Sequence, residues 1–181
     1  MAQAGHDTNT GSTDVDGAIP RLLILWHSRT GATAAMARAC FAGARDVAGC
    51  DTRLVHVSRA SPGVLLTGSG FVFAGPENLG SLSGAMKEML DKAYYPLLAQ
   101  VEGRAYASMI AAGSDGAGAQ AQLDRIVTGW RLRRVAAPLV VNTFAQSPEA
   151  ILARKRLDRA TLMQCAELGQ AMAEGLAGGI F

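Results

Sequence analysis

A chain of 181 residues, 49% hydrophobic and with 21 glycines, is long enough for one well-buried core and short for two, which predicts a single α/β domain with tight loops. Seventeen Lys plus Arg against 15 Asp plus Glu leave a formal charge of +2, a balance without the basic surface of a nucleic-acid binder. No segment approaches the length of a membrane span, and three cysteines without a C-x-x-C pair point to a reduced, cytoplasmic setting rather than to secretion.

Residues 1–20 are rich in Gly, Thr, Asp and Ala without periodicity, and are expected to be a disordered tail. They carry neither the basic start nor the apolar run of a signal peptide. From Arg21 to the end a single domain is expected. Leu22 to Trp26 is a continuous apolar run, the pattern of a parallel strand buried on both faces. Beyond it Met36, Cys40, Ala44 and Val47 recur at helical spacing.

Between the two lies Ser28-Arg29-Thr30-Gly31-Ala32-Thr33, which therefore turns a strand into a helix N-terminus. Such an end offers unpaired N–H groups and the positive pole of the helix to an anion. Gly31 permits close backbone approach, and three hydroxyls in six residues exceed what one cap needs, so a phosphate is the expected ligand; a plain turn and helix cap is the alternative. The three spaced glycines of a dinucleotide fingerprint and the Gly-Lys-Ser/Thr of a Walker loop are both absent.

Thr52 to Val57 reads as the second strand, and only a short helix fits in Ala60 to Leu66. Gly70 to Ala74 is a third strand expected to end at Gly75-Pro76, before a helix with Leu82, Met86, Met89, Leu90, Ala93 and Leu97 on one face. Ala105 to Ala111 is a fourth strand that opens into Gly113-Ser114-Asp115-Gly116, followed by a helical stripe of Leu123, Ile126, Val127 and Trp130. Arg131, Arg133 and Arg134 are expected to solvate a turn. The fifth strand, Val135 to Asn142, contains Pro138, which suits an edge. Ser147-Pro148-Glu149 is a helix start, and one long helix or two shorter ones complete the chain.

Five strands alternating with helices predict a doubly wound parallel sheet with right-handed crossovers, its ligand beyond the carboxyl ends of the strands. The histidines are scattered, so no metal site is expected, and no G-x-S-x-G nucleophile elbow occurs.

With those loops in place the chain resembles the flavodoxin-like FMN proteins, whose first loop reads Ser/Thr-x-Thr-Gly-x-Thr, as Ser28 to Thr33 does. The resemblance covers roughly residues 21–177. It implies strand order 2-1-3-4-5 and a second flavin loop at Pro76, Glu77, Asn78, Leu79 and Gly80, continued by Gly84 to Asp91. Asn78 stands where an aromatic that stacks on the ring is usual, and Lys87 with Asp91 also fits a simple surface pair. Gly113, Ser114, Asp115 and Gly116 take the place of the third loop, with backbone N–H groups toward the pyrimidine edge of the ring, or else form a turn in which Asp115 caps the next helix.

The implied activity is an FMN-dependent oxidoreductase that takes electrons from NAD(P)H and passes them to a quinone, a flavin or a similar small acceptor, with no side chain named as acid or base. Its partners are then NAD(P)H and that acceptor, and a homo-oligomer is compatible with the sequence. Tyr94 and Tyr95 are read as packing residues, the lining of an acceptor pocket being the other option. A flavodoxin-type electron carrier and a module that has lost flavin are the alternatives, the first disfavoured by the charge of +2. Two-electron behaviour is expected, with Glu77 and Asp115 turned to solvent.

Overall fold

The computed structural model describes residues 18–181, so most of the expected tail lies outside the described residues. Strand β1 (Arg21–Trp26) is followed by α1 (Ala32–Ala44), β2 (Asp51–His56), a 3-10 turn (Val57–Arg59) and α2 (Pro62–Leu66). Next come β3 (Gly70–Asn78), β4 (Ser81–Leu82), α3 (Gly84–Leu97), β5 (Ala105–Ala112) and α4 (Ala117–Gly129). The chain ends with β6 (Arg133–Arg134), β7 (Leu139–Asn142), α5 (Pro148–Leu152) and α6 (Arg159–Ala177). Among the described residues no helix is long and apolar enough to cross a membrane.

The strands run β2-β1-β3-β5 in parallel, and β6 and β7 both pair with β5 on its far side. The expected order 2-1-3-4-5 is therefore present, with its fifth position split into two pieces. Pro138 sits in the gap between them, where a residue without an N–H cannot donate to a ladder.

Alternate residues of each central strand serve opposite faces, which explains why β1 is apolar throughout. Leu23, Leu25, Phe71 and Phe73 pack under α2, α3 and α4, whereas Leu22, Ile24, Val72 and Ala74 pack under α1 and α6. Helix α3 buries Met86, Met89, Leu90, Ala93 and Leu97 as its spacing predicts, but Leu82 belongs to β4. In α1, Met36, Cys40 and Ala44 are buried, while Val47 lies beyond the helix end.

Helices α1 and α6 meet with their backbones nearly in contact: a Cβ on Gly169 would lie 2.0 Å from the Cys40 carbonyl oxygen, and one on Gly43 2.1 Å from that of Ala166. That close approach seals Cys40 and Cys165 in the core as free thiols. Burial pushes the Cys165 thiol up to about 11 and raises that of Cys40 as well, so both act as small apolar residues.

Two expectations need correction. Strand β3 does not stop at Gly75-Pro76 but continues to Asn78 and folds back on itself through β4. The reason lies in which edge Pro76 presents. Ala74 accepts from His27 N–H on the β1 side, and Pro76, two residues on, faces that same side after β1 has ended. Its missing N–H is thus not needed, and its carbonyl accepts from Ser83 N–H instead. In addition, Arg134 does more than solvate a turn, since it pairs with Asp124, which also accepts from the Tyr106 hydroxyl.

Candidate functional site

The first loop leaves β1 at His27, whose N–H donates to Ala74 O, and turns through Gly31 at φ 102°, a left-handed conformation that suits glycine. Ser28 Oγ accepts the Gly31 N–H at 3.2 Å and closes the turn. Gly31 is also the N-cap of α1, and no side chain caps that helix. Thr33 has its Oγ buried, 1% of the residue being exposed, and without a hydrogen-bond partner.

Hydroxyls serving as an ordinary helix cap would be bonded to the first-turn N–H groups; none is. Burying an unpartnered hydroxyl costs about 1–3 kcal/mol, a cost that an acceptor from outside the chain would offset. A glycine-capped helix with a free hydroxyl in its first turn can take a phosphate.

The second and third loops form one unit. Leu79 at φ 53° and Gly80 at φ 71° are the two central residues of the hairpin between β3 and β4, which leaves the Leu79 side chain fully exposed beside Asn78. Glu77 points back into the protein rather than to solvent. Its Oε2 accepts the Gly116 N–H at 3.1 Å and its Oε1 the Ala119 N–H at 3.2 Å, capping α4. The hairpin also lies against that helix so closely that a Cβ on Gly118 would meet the Gly80 carbonyl oxygen at 2.0 Å.

Asp115 caps the same helix through the Ala117 N–H at 2.7 Å, as its turn reading requires. The N–H groups of Gly113, Ser114 and Asp115 have no partner among the described residues, whereas that of Gly116 is taken by Glu77.

Pro76, Glu77 and Asn78 line the same cleft of ≈ 190 Å³ as Ser28 to Thr30 and Gly113. The three loops anticipated from the sequence therefore converge at the carboxyl end of the sheet. Tyr94 and Tyr95 do not join them. They stack edge to face at the other end of α3, with Tyr94 beside Gly129 at the end of α4.

A fourth wall was not anticipated. The connection from β7 to α6 covers the first loop: Lys155 N–H donates to Thr30 O at 2.8 Å, and the Arg154 stem lies 3.7 Å from where a Gly31 Cβ would be. The Lys155 ammonium caps the C-terminal carbonyls of α5, at 2.5 Å from Ala150 O, 2.9 Å from Ile151 O and 2.7 Å from Ala153 O. Ile151 and Leu152 line the cleft from this side, and Phe144, held at φ 52°, is 79% exposed nearby. The only sequence signal was the Ser147-Pro148 helix start followed by three basic residues, Arg154 to Arg156. Arg29 and Lys155 line the cleft and the Arg154 stem lies against Gly31, so basic side chains gather at this loop.

No family model matches the chain. A curated "Flavodoxin" from Aquifex aeolicus (strain VF5) is 30% identical over 108 residues, 60% of this chain; the match spans 58% of that relative's length. Among solved structures, a flavodoxin from the domain Archaea superposes with a TM-score of 0.71 at 15% identity, over 86% of this chain and 98% of that one. A flavodoxin, WrbA-like protein from Agrobacterium tumefaciens gives 0.67 at 14% identity, over 88% and 98%. The Flv1 flavodiiron core from Synechocystis sp. PCC6803 gives 0.72 at 16% identity, over 89% of this chain but 37% of that one. Strand order and these structural likenesses show that the chain has the flavodoxin-like fold.

Proposed function

We propose that the chain binds FMN and works as an oxidoreductase that takes electrons from NAD(P)H and delivers them to a quinone, a flavin or a similar small acceptor. The observation that carries the reading is the buried, unpartnered Thr33 hydroxyl at the glycine-capped start of α1, which is suited to a phosphate. When bound, FMN would supply the redox chemistry. The chain's own groups bind and orient it. Thr33 and the first-turn N–H groups of α1 would hold the phosphate, Gly113 brings a main-chain N–H, free among the described residues, to the lining of the cleft, and Ile151 and Leu152 give it an apolar wall. Arg29 and Arg154 at the entrance favour an anionic cofactor and an anionic donor.

Absorbance titration of the purified protein with FMN and with riboflavin tests the binding reading: tight binding of FMN and much weaker binding of riboflavin are expected, and equal affinities would remove it. Steady oxidation of NAD(P)H by the FMN-loaded protein with a quinone as acceptor tests the enzyme reading. A loaded protein that oxidises neither nicotinamide would be a flavodoxin-type carrier, the reading favoured by the match to the Aquifex flavodoxin.

A further inference from the structure

A second cavity of ≈ 380 Å³ opens at the carboxyl ends of β1 and β2 and shares no lining residue with the first. Val57, Ala85 and Met89 contribute an apolar surface, and His27, His56 and Arg59 contribute polar groups. Nothing in the flavin reading uses it.

The hydrogen bonds around the two imidazoles determine what they offer. The Ser58 N–H donates to His56 Nδ1 at 3.3 Å, and the Ser58 hydroxyl lies 2.8 Å from the same nitrogen. An Nδ1 that accepts places the proton of the neutral ring on Nε2, so His56 has a donor left for a ligand. His27 Nδ1 lies 2.9 Å from the fully buried Ser83 hydroxyl, which can donate to it, and in that tautomer the His27 Nε2–H is left for a ligand. The ring centroids are 5.8 Å apart.

A metal fits poorly, since among the described residues no group of three His, Cys, Asp or Glu comes together. The local charge favours an anion. Lys92 pairs with Glu88 at 2.6 Å, which cancels the one carboxylate lining the cavity, while Arg59 has no acidic partner among the described residues. The His27 pKa is pushed down chiefly by burial and then by the proximity of His56 and Arg29, so His27 serves the cavity as a hydrogen-bonding imidazole more than as a charge.

We propose that this cavity binds a small organic anion, a carboxylate on an aromatic or apolar body. Its oxygens accept from His27, His56 and Arg59, and its body lies on Met89 and Ala85. The site is independent of flavin.

Imidazole and amide NMR of the full chain, titrated with sodium benzoate and with sodium chloride at matched ionic strength, tests it. Saturable shifts of the His27 and His56 ring nitrogens with benzoate alone are expected, with the Gly31 amide unmoved. Affinity should fall about tenfold in Arg59→Ala, the loss of one charge-assisted bond, and recover in part in Arg59→Lys. Arg59 is exposed, so the first variant should keep the fold, which the amide spectrum verifies. The proposal is overturned by an absence of shifts up to the solubility of benzoate or by equal shifts with chloride. It is likewise overturned by unchanged affinity in Arg59→Ala, or by Gly31 responding in place of the histidines.

Discussion

Lys155 donates its main-chain N–H to the Thr30 carbonyl at 2.8 Å, so the link between α5 and α6 is fastened to the loop read as the phosphate cradle. An anion that orders the loop must then order the link, because a ligand of one state stabilises whatever is bonded to it. Arg154, Lys155 and Arg156 are three tryptic sites within that link.

Limited trypsin digestion in the absence and presence of FMN should therefore show slower cleavage at residues 154–156 with the cofactor, and no comparable slowing with riboflavin. Mass spectrometry of the fragments assigns the cut. Equal rates in all three samples would mean that the link does not sense the loop.

Thr33→Val makes a prediction with two opposite signs. Valine is nearly isosteric and removes a buried hydroxyl that has no partner, so the unloaded protein should be as stable as the parent or slightly more so by thermal melting. Loss of a hydrogen bond to a charged phosphate, worth about 1.5–3 kcal/mol, should weaken FMN binding by about tenfold or more. A variant that loses stability but keeps its affinity would make Thr33 a structural residue.

Much of this arrangement was legible because the sequence patterns and the packing agree. The unbroken apolar β1 demands burial on both faces, and the Met36-Cys40-Ala44 spacing demands a helix after it, so the loop between them could only lie at the carboxyl edge of the sheet. The course of β3 was hidden by Pro76, a residue that normally ends strands. It is tolerated here because β1 has already ended on the edge it faces, a fact that requires the register of three strands. The cover over the first loop was hidden for a different reason. Lys155 reaches Thr30 across about 125 residues of chain, and no local pattern encodes such a contact.

The role of Glu77 was also out of reach, and it changes an expectation. A carboxylate beside a flavin site was expected to turn to solvent; instead it occupies the N–H groups of Gly116 and Ala119. Glu77→Ala removes both bonds and leaves Asp115 as the one acidic cap of α4, which should cost about 1–2 kcal/mol, read as a fall in the urea midpoint. The same variant frees the Gly116 N–H, so its reduced FMN complex should become easier to form, measured as a rise in reduction potential. No change in either quantity would mean that the Glu77 bonds contribute nothing.

The pH dependence of stability separates His27 from the carboxylates. Arg21 and Arg53 beside Asp51 hold its carboxyl below the usual range despite some desolvation, and hydrogen bonds from Arg134, Gln120 and Tyr106 do the same for the more buried Asp124. Groups with depressed carboxyl pKa values add stability above their unfolded values near about 4 and lose it only as pH falls further. His27 is also depressed, first by burial and then by the charges of His56 and Arg29, from an ordinary value of 6.5. Its unfolded form therefore takes up a proton below about pH 6.5 while the folded form does not, so the unfolded state binds more protons there and stability falls as pH is lowered through that window. Urea midpoints measured at about pH 7.5 and about pH 5.5 should accordingly decline in the parent and decline less in His27→Asn, whose amide can still meet the Ser83 hydroxyl. The carboxylates contribute no slope over that interval, so an equal decline in both proteins would show that His27 is not the group responsible.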